Sequence, residues 1–195
     1  MPYVAVFAIF AGMAVYMVFY ILSVHPAQLE QKIGPAAYPR CARLRMVAFV
    51  GMGASFLGEV LYVFYPLDTG LPPRLIEGAA GWAISIAIGA ALTVFATWII
   101  WKVGKVAPDS FVPRKENQMF GGIYTRVRHP QAVADVTYWF AIGFLLNSPF
   151  LLVVALIWVP LNYLLTVFEE QDLKVRFGQD YVDYIARTGR FVPRS

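Results

Sequence analysis

Residues 3–24 contain no charged side chain, and that 22-residue run constrains the fold more than any other feature of the chain. As a helix it spans about 33 Å, enough to cross a hydrocarbon core of about 30 Å. In lipid every backbone N–H and C=O needs an internal partner, so such a segment crosses as a helix. A cleaved signal peptide would carry a basic start and a shorter apolar stretch, and this run has neither. Residues 46–65, interrupted only by Glu59, and the charge-free residues 78–101 repeat the pattern. Residues 130–146 and 150–168 do so again, joined by the short turn Asn147-Ser148-Pro149, which leaves room only for an antiparallel helical hairpin. At 59% hydrophobic and 14% charged residues the chain lies far from soluble averages of roughly 45–50% and about 25%. The expected class is an all-α integral membrane protein with about five transmembrane helices.

Charge placement supplies the topology. Of 16 Lys and Arg, only Arg74 lies outside three segments: residues 25–45, residues 102–128 and the tail after residue 168. Five spans with the N-terminus outside and the C-terminus cytosolic satisfy the positive-inside rule almost completely. The net charge of +4 is therefore topological, and no nucleic-acid partner is expected. The host membrane would be the endoplasmic reticulum in a eukaryote and the plasma membrane in a prokaryote. The lone Cys41 excludes an internal disulfide and reads as a small buried residue, and two distant histidines, His25 and His129, give no metal site.

Several residues within or beside the spans carry local expectations. Pro26, Gly34, Pro35 and Pro39 should interrupt regular structure over residues 25–45. Gly51, Gly53, Ala54, Ser55 and Gly58 suggest close helix packing in the second span. Glu59 and Asp135 are intramembrane carboxyls, either functional in a polar cavity or paired structurally. Pro160 should kink the last span and free a carbonyl near residue 156.

One run is explained by neither burial nor membrane insertion: Gly121-Gly-Ile-Tyr-Thr-Arg-Val-Arg-His-Pro-Gln-Ala-Val-Ala134. Proline tolerates the first turn of a helix, so Pro130 opens one, and the first-turn amides together with Arg128 and His129 make an anion-attracting corner. Because the helix that follows is short, that corner sits at the cytoplasmic membrane boundary. Beyond the last span, Leu173, Phe177, Tyr181, Tyr184 and Ile185 recur at helical spacing, which reads as an amphipathic tail helix with a break at Gly178.

Taken in order, Gly-x-Tyr-x-x-x-Arg-His-Pro from Gly122, the hydrophobic hairpin, Glu169-Glu170, then Phe-Gly-x-x-Tyr-x-x-Tyr from Phe177 and a closing Pro193 resemble the isoprenylcysteine carboxyl methyltransferase family and its phospholipid methyltransferase relatives. The resemblance covers a little over a third of the chain. It implies a division into N-terminal membrane helices, residues 1–101, and a methyltransferase core, residues 102–195, whose loop, hairpin and cytosolic tail enclose a cofactor pocket. The cofactor implied is S-adenosyl-L-methionine, contacted by Tyr124, by the turn His129-Pro130-Gln131-Ala132, by Glu169 and by Glu116, Asn117, Gln118 and Met119 of the preceding loop. Two positions depart from the family pattern: Ala132 stands where an aromatic is usual and Ala134 where a glycine is usual. Leu165 stands where the prenylcysteine enzymes carry a substrate arginine.

The activity implied is carboxyl O-methylation of a lipophilic or lipid-anchored, prenylcysteine-like acceptor, with no metal. A carboxylate is already ionised at neutral pH, so no general base is needed, and catalysis rests on positioning and water exclusion. Arg128 or Arg126 would hold the acceptor carboxylate; the competing role for Arg128 is a bond to headgroups or tail carbonyls, and for His129 simple helix capping. The alternatives are a phospholipid N-methyltransferase, which would want Glu59 or Asp135 as a base, a sterol-reductase-like NADPH enzyme, or a non-enzymatic transporter or scaffold.

Overall fold

The computed structural model describes residues 1–107, 112–115 and 121–194. The described residues form, in order, α1 Pro2–Ser23, α2 Pro26–Ile33, α3 Ala37–Phe64, α4 Gly78–Val106, α5 Pro130–Leu145, α6 Pro149–Phe177 and α7 Gln179–Arg187. Among the described residues there is no strand, only one isolated bridge pairing Val127 with Gly189. Pro26, Pro130 and Pro149 each stand at the first position of a helix, where the missing N–H is no loss. The same physics corrects the expectation for residues 25–45. They are mostly helical, because Pro26 opens α2, Pro39 falls in the first turn of α3, and the chain breaks only at Val24–His25 and around Gly34.

Among the described residues four stretches are long and apolar enough to cross a membrane: Pro2–Ser23, the continuous helical run Pro26–Phe64, Gly78–Val106 and Pro149–Phe177. Their outward residues, such as Phe7, Val50 and Val94, are exposed and apolar, as a lipid-facing surface requires. The shorter α5, 16 residues and about 24 Å long, packs against α4 and α6. The chain is a multi-pass membrane protein.

In lipid, apolar surface alone does not drive helices together, so close backbone approach has to. Helices α1 and α3 achieve it with Gly12, Gly51, Ser55 and Gly58. A Cβ on Gly12 would stand 2.5 Å from the Gly51 carbonyl oxygen, and one on Gly58 would stand 2.7 Å from the Ile9 amide nitrogen. Between them the Ser55 hydroxyl donates to the Ile9 carbonyl at 2.9 Å. Gly53, also expected at a packing face, meets nothing within 4 Å. On the far side of the bundle the Ser85 hydroxyl ties α4 to the Phe144 carbonyl at 2.6 Å. The hairpin turn is fixed by Asn147, whose side chain brackets the Ile76 backbone, accepting from its N–H and donating to its carbonyl.

Helix α6 continues past Pro160 and residue 168 to Phe177, so the acidic pair lies on the same helix as the span. At 29 residues, about 44 Å, its last turns extend beyond a hydrocarbon core. Leu156, whose carbonyl loses its amide donor at Pro160, is exposed to the lipid side. Gly178, at φ +59°, ends α6 and turns the chain into α7, as the expected break required. Asp172 on this extension caps α2, accepting from the Ala27 and Gln28 amides at 3.2 and 2.9 Å.

Candidate active site

The tail returns to the start of α5 through backbone pairing. The Arg128 amide donates to the Gly189 carbonyl at 2.9 Å and the His129 amide to the Arg190 carbonyl at 3.0 Å. Glu170 sits at the centre of this closure, 5% exposed. It accepts from Arg128 Nε at 2.9 Å, from Arg190 Nε and Nη2 at 3.2 and 2.6 Å, and its Oε1 stands 3.0 Å from His129 Nε2. Arg128 also reaches the Ile185 and Thr188 carbonyls, and the Tyr184 hydroxyl donates to the Tyr124 carbonyl at 2.6 Å. A buried carboxylate is tolerated only with such a donor set. Burial alone pushes the pKa of His129 down; the hydrogen bonds and charges of Glu169 and Glu170 outweigh it, and the net shift is upward.

Above this closure lies a chamber of about 230 Å³. Tyr16 and Tyr20 of α1 and Arg45, Phe49 and Met52 of α3 form one wall. Ile100 of α4 and the start of α5, from His129 through Gln131, Ala132, Asp135 and Tyr138, form another, and Asn162, Leu165, Thr166 and Glu169 of α6 complete it. Asp135 Oδ2 accepts from Trp158 Nε1 at 2.6 Å and from Asn162 Nδ2 at 2.7 Å. The Tyr138 hydroxyl pairs with Thr97 at 2.9 Å.

The structure brings together His129, Gln131, Ala132 and Glu169, all on the chamber wall, with His129 Nδ1 and Glu169 Oε2 at 3.5 Å. Pro130 is buried at the first turn of α5 behind them. Tyr124 does not reach the chamber: it is 1% exposed and packs with Ala96, Ile99, Val103 and Ala134 between α4 and α5. Arg128 does not reach it either, because its guanidinium is taken up by Glu170 and the tail carbonyls. Arg126 is exposed outside it. Glu116, Asn117, Gln118 and Met119 lie outside the described residues. Of the two departures, Ala132 borders the chamber while Ala134 is sealed against α4, so its small size serves helix packing. Leu165 lines the chamber as an apolar wall. Glu59 is buried away from it, with Oε1 taking no hydrogen bond among the described residues.

In the sequence Arg45 reads as one more cytosolic cation. The available signal was spacing: Arg45, Phe49 and Met52 share one face of α3 at helical intervals, as Tyr16 and Tyr20 do on α1. Nothing local states that those two faces meet.

A family model described as phospholipid methyltransferase matches residues 78–180, more than half of the chain. The chain belongs to that family. Membership makes this a membrane methyltransferase and implies S-adenosylmethionine as its methyl donor. The matched segment runs from the start of α4 into α7 and so contains the α5 corner and the acidic pair, but not Arg45 or the α1 wall. No curated protein and no solved structure matches the chain.

Proposed function

We propose that this protein transfers a methyl group to the carboxylate of a lipophilic or lipid-anchored acceptor inside the chamber between α1, α3, α5 and α6. The observation that carries this reading is that His129, Gln131, Ala132 and Glu169 share one chamber with a buried arginine and apolar side chains. When bound, S-adenosylmethionine supplies an activated methyl on a sulfonium. The residues suit it: the Glu169 carboxylate for its ammonium or ribose hydroxyls, and the rings of Tyr16 and Tyr138 for a cation or a base, a contact of roughly 0.5–2 kcal/mol.

His129, Gln131 and Ala132 present the first turn of α5 to the cofactor, and Glu170 with Arg128 and Arg190 holds that turn in place from behind. Arg128 is in this reading a positioning residue, and Tyr124 supports the turn by filling the space between α4 and α5. Residues 102–195 provide most of the cofactor side and residues 1–101 most of the acceptor side. With the N-terminus outside and the tail cytosolic, the cofactor enters from the cytosol and the acceptor from the membrane. Isothermal titration with S-adenosylhomocysteine tests the site: wild type should bind, and Glu169→Gln should lose about tenfold or more. Equal affinity in both would remove Glu169 from the site.

A second reading, methylation of a phospholipid amine, is favoured by Asp135, a carboxylate on the chamber wall able to take a proton from the lipid ammonium. Product chemistry separates the two. Label transferred to a carboxylate is released as methanol by mild alkali, whereas label on nitrogen is not.

A further inference from the structure

We infer that Arg45 holds the oxyanion of the methyl acceptor, a carboxylate or a phosphodiester. The residue is 4% exposed and borders the chamber. Its Nε donates to the Ser23 hydroxyl at 2.7 Å, and Cζ lies 3.9 Å from the centroid of the Tyr20 ring, so the near edge and one face of the guanidinium are held in place. Nη1 and Nη2 take no hydrogen bond and no carboxylate pairs with them among the described residues. A buried cation with no carboxylate in contact is costly; this one borders the chamber, and Glu169 on the same wall acts on it only through space. A two-oxygen anion fits the Nη1–Nη2 edge through paired hydrogen bonds.

The surroundings assign the anion to the acceptor. Arg45, Phe49 and Met52 stand on α3, outside the segment that matches the family, and line the chamber together with the apolar Leu165. The α5 turn and Glu169, inside that segment, supply other polar groups of the chamber. A lipophilic molecule with one charged head would lie along the apolar wall with its head on Arg45. The cation absent from α6 at Leu165 is thereby supplied from α3.

The inference rests on the methyltransferase reading for the word acceptor, and the test separates the two. Full-length protein in lipid nanodiscs is titrated with N-acetyl-S-prenylcysteine and its primary amide, and with lysophosphatidylethanolamine and the matching monoacylglycerol, following intrinsic fluorescence. Wild type should prefer one charged lipid over its neutral counterpart by about 10- to 100-fold. Arg45→Met should abolish that preference, and Arg45→Lys should retain part of it, while S-adenosylhomocysteine affinity stays the same in all three. Which lipid shows the effect assigns carboxylate or phosphodiester. Absence of any preference in wild type overturns the inference even if Arg45→Met does not fold. So does a preference that survives in Arg45→Met, or loss of S-adenosylhomocysteine binding there with lipid preference kept, which would make Arg45 a cofactor residue. Arg45-dependent lipid binding in a wild type that ignores S-adenosylhomocysteine would remove the methyltransferase reading and leave the inference standing.

Discussion

His129 Nε2 stands 3.0 Å from Glu170 Oε1, so the helix that carries the corner and the helix that carries the acidic pair are joined by their own adjoining residues. Neighbouring Glu169 turns the other way, onto the chamber wall. Two consecutive carboxylates thus have separate tasks, one closing the fold and one facing the cavity. Helical geometry accounts for this, since successive side chains project about 100° apart.

Glu170→Ala should therefore destabilise the folded protein, and Glu169→Ala should not do so to a similar degree. Removing Glu170 leaves Arg128 and Arg190 without their buried counter-charge, a loss of about 3–5 kcal/mol. Thermal unfolding in detergent measures it. Equal melting temperatures for the two variants would contradict the division of tasks.

The same cluster predicts a pH dependence. A histidine whose pKa is raised in the folded chain stabilises it fully below the unfolded value of about 6.5, and that contribution is lost as pH rises through the raised folded value. The groups around the ring are Glu169, Glu170, Arg128 and Arg190. Stability should fall as pH climbs above about 6.5, and His129→Gln should flatten that part of the profile. Melting temperature against pH for both proteins checks the sign.

Helix packing between α1 and α3 should be intolerant of a single methyl group where the backbones touch. Gly12→Ala or Gly58→Ala should lower stability by about 1–3 kcal/mol, because the nearest atoms are backbone. Gly53→Ala, with open space around it, should leave stability unchanged or slightly raised. The contrast between these positions is the measurement, read from thermal unfolding.

Asp172→Ala should free the N-terminus of α2. Loss of a side-chain cap costs about 0.5–2 kcal/mol, and here the effect should appear as faster hydrogen exchange at the Ala27 and Gln28 amides. Asp172→Asn, which keeps an acceptor, should exchange at close to the wild-type rate.

Length and the near absence of charge in residues 3–24, 46–65 and 78–101, with Glu59 the one exception, were enough to establish a helical membrane protein, because an unpaired backbone is not tolerated in lipid. Local turn chemistry at Pro130, Asn147 and Gly178 was legible for the same reason: each acts within a few residues of itself. The corner and the acidic pair were legible as a pattern, and the family match over residues 78–180 agrees with it. What the pattern left open was which members face the cavity. Tyr124 and Arg128 turned inward to packing and to the tail, while Gln131, Ala132 and Glu169 line the chamber. Only the tertiary structure decided this, and only it put Arg45 and Leu165 on one chamber wall. Those placements depend on how far α1 and α3 close on α5 and α6, a sum of small-residue contacts and buried charge pairs that lie far apart along the chain.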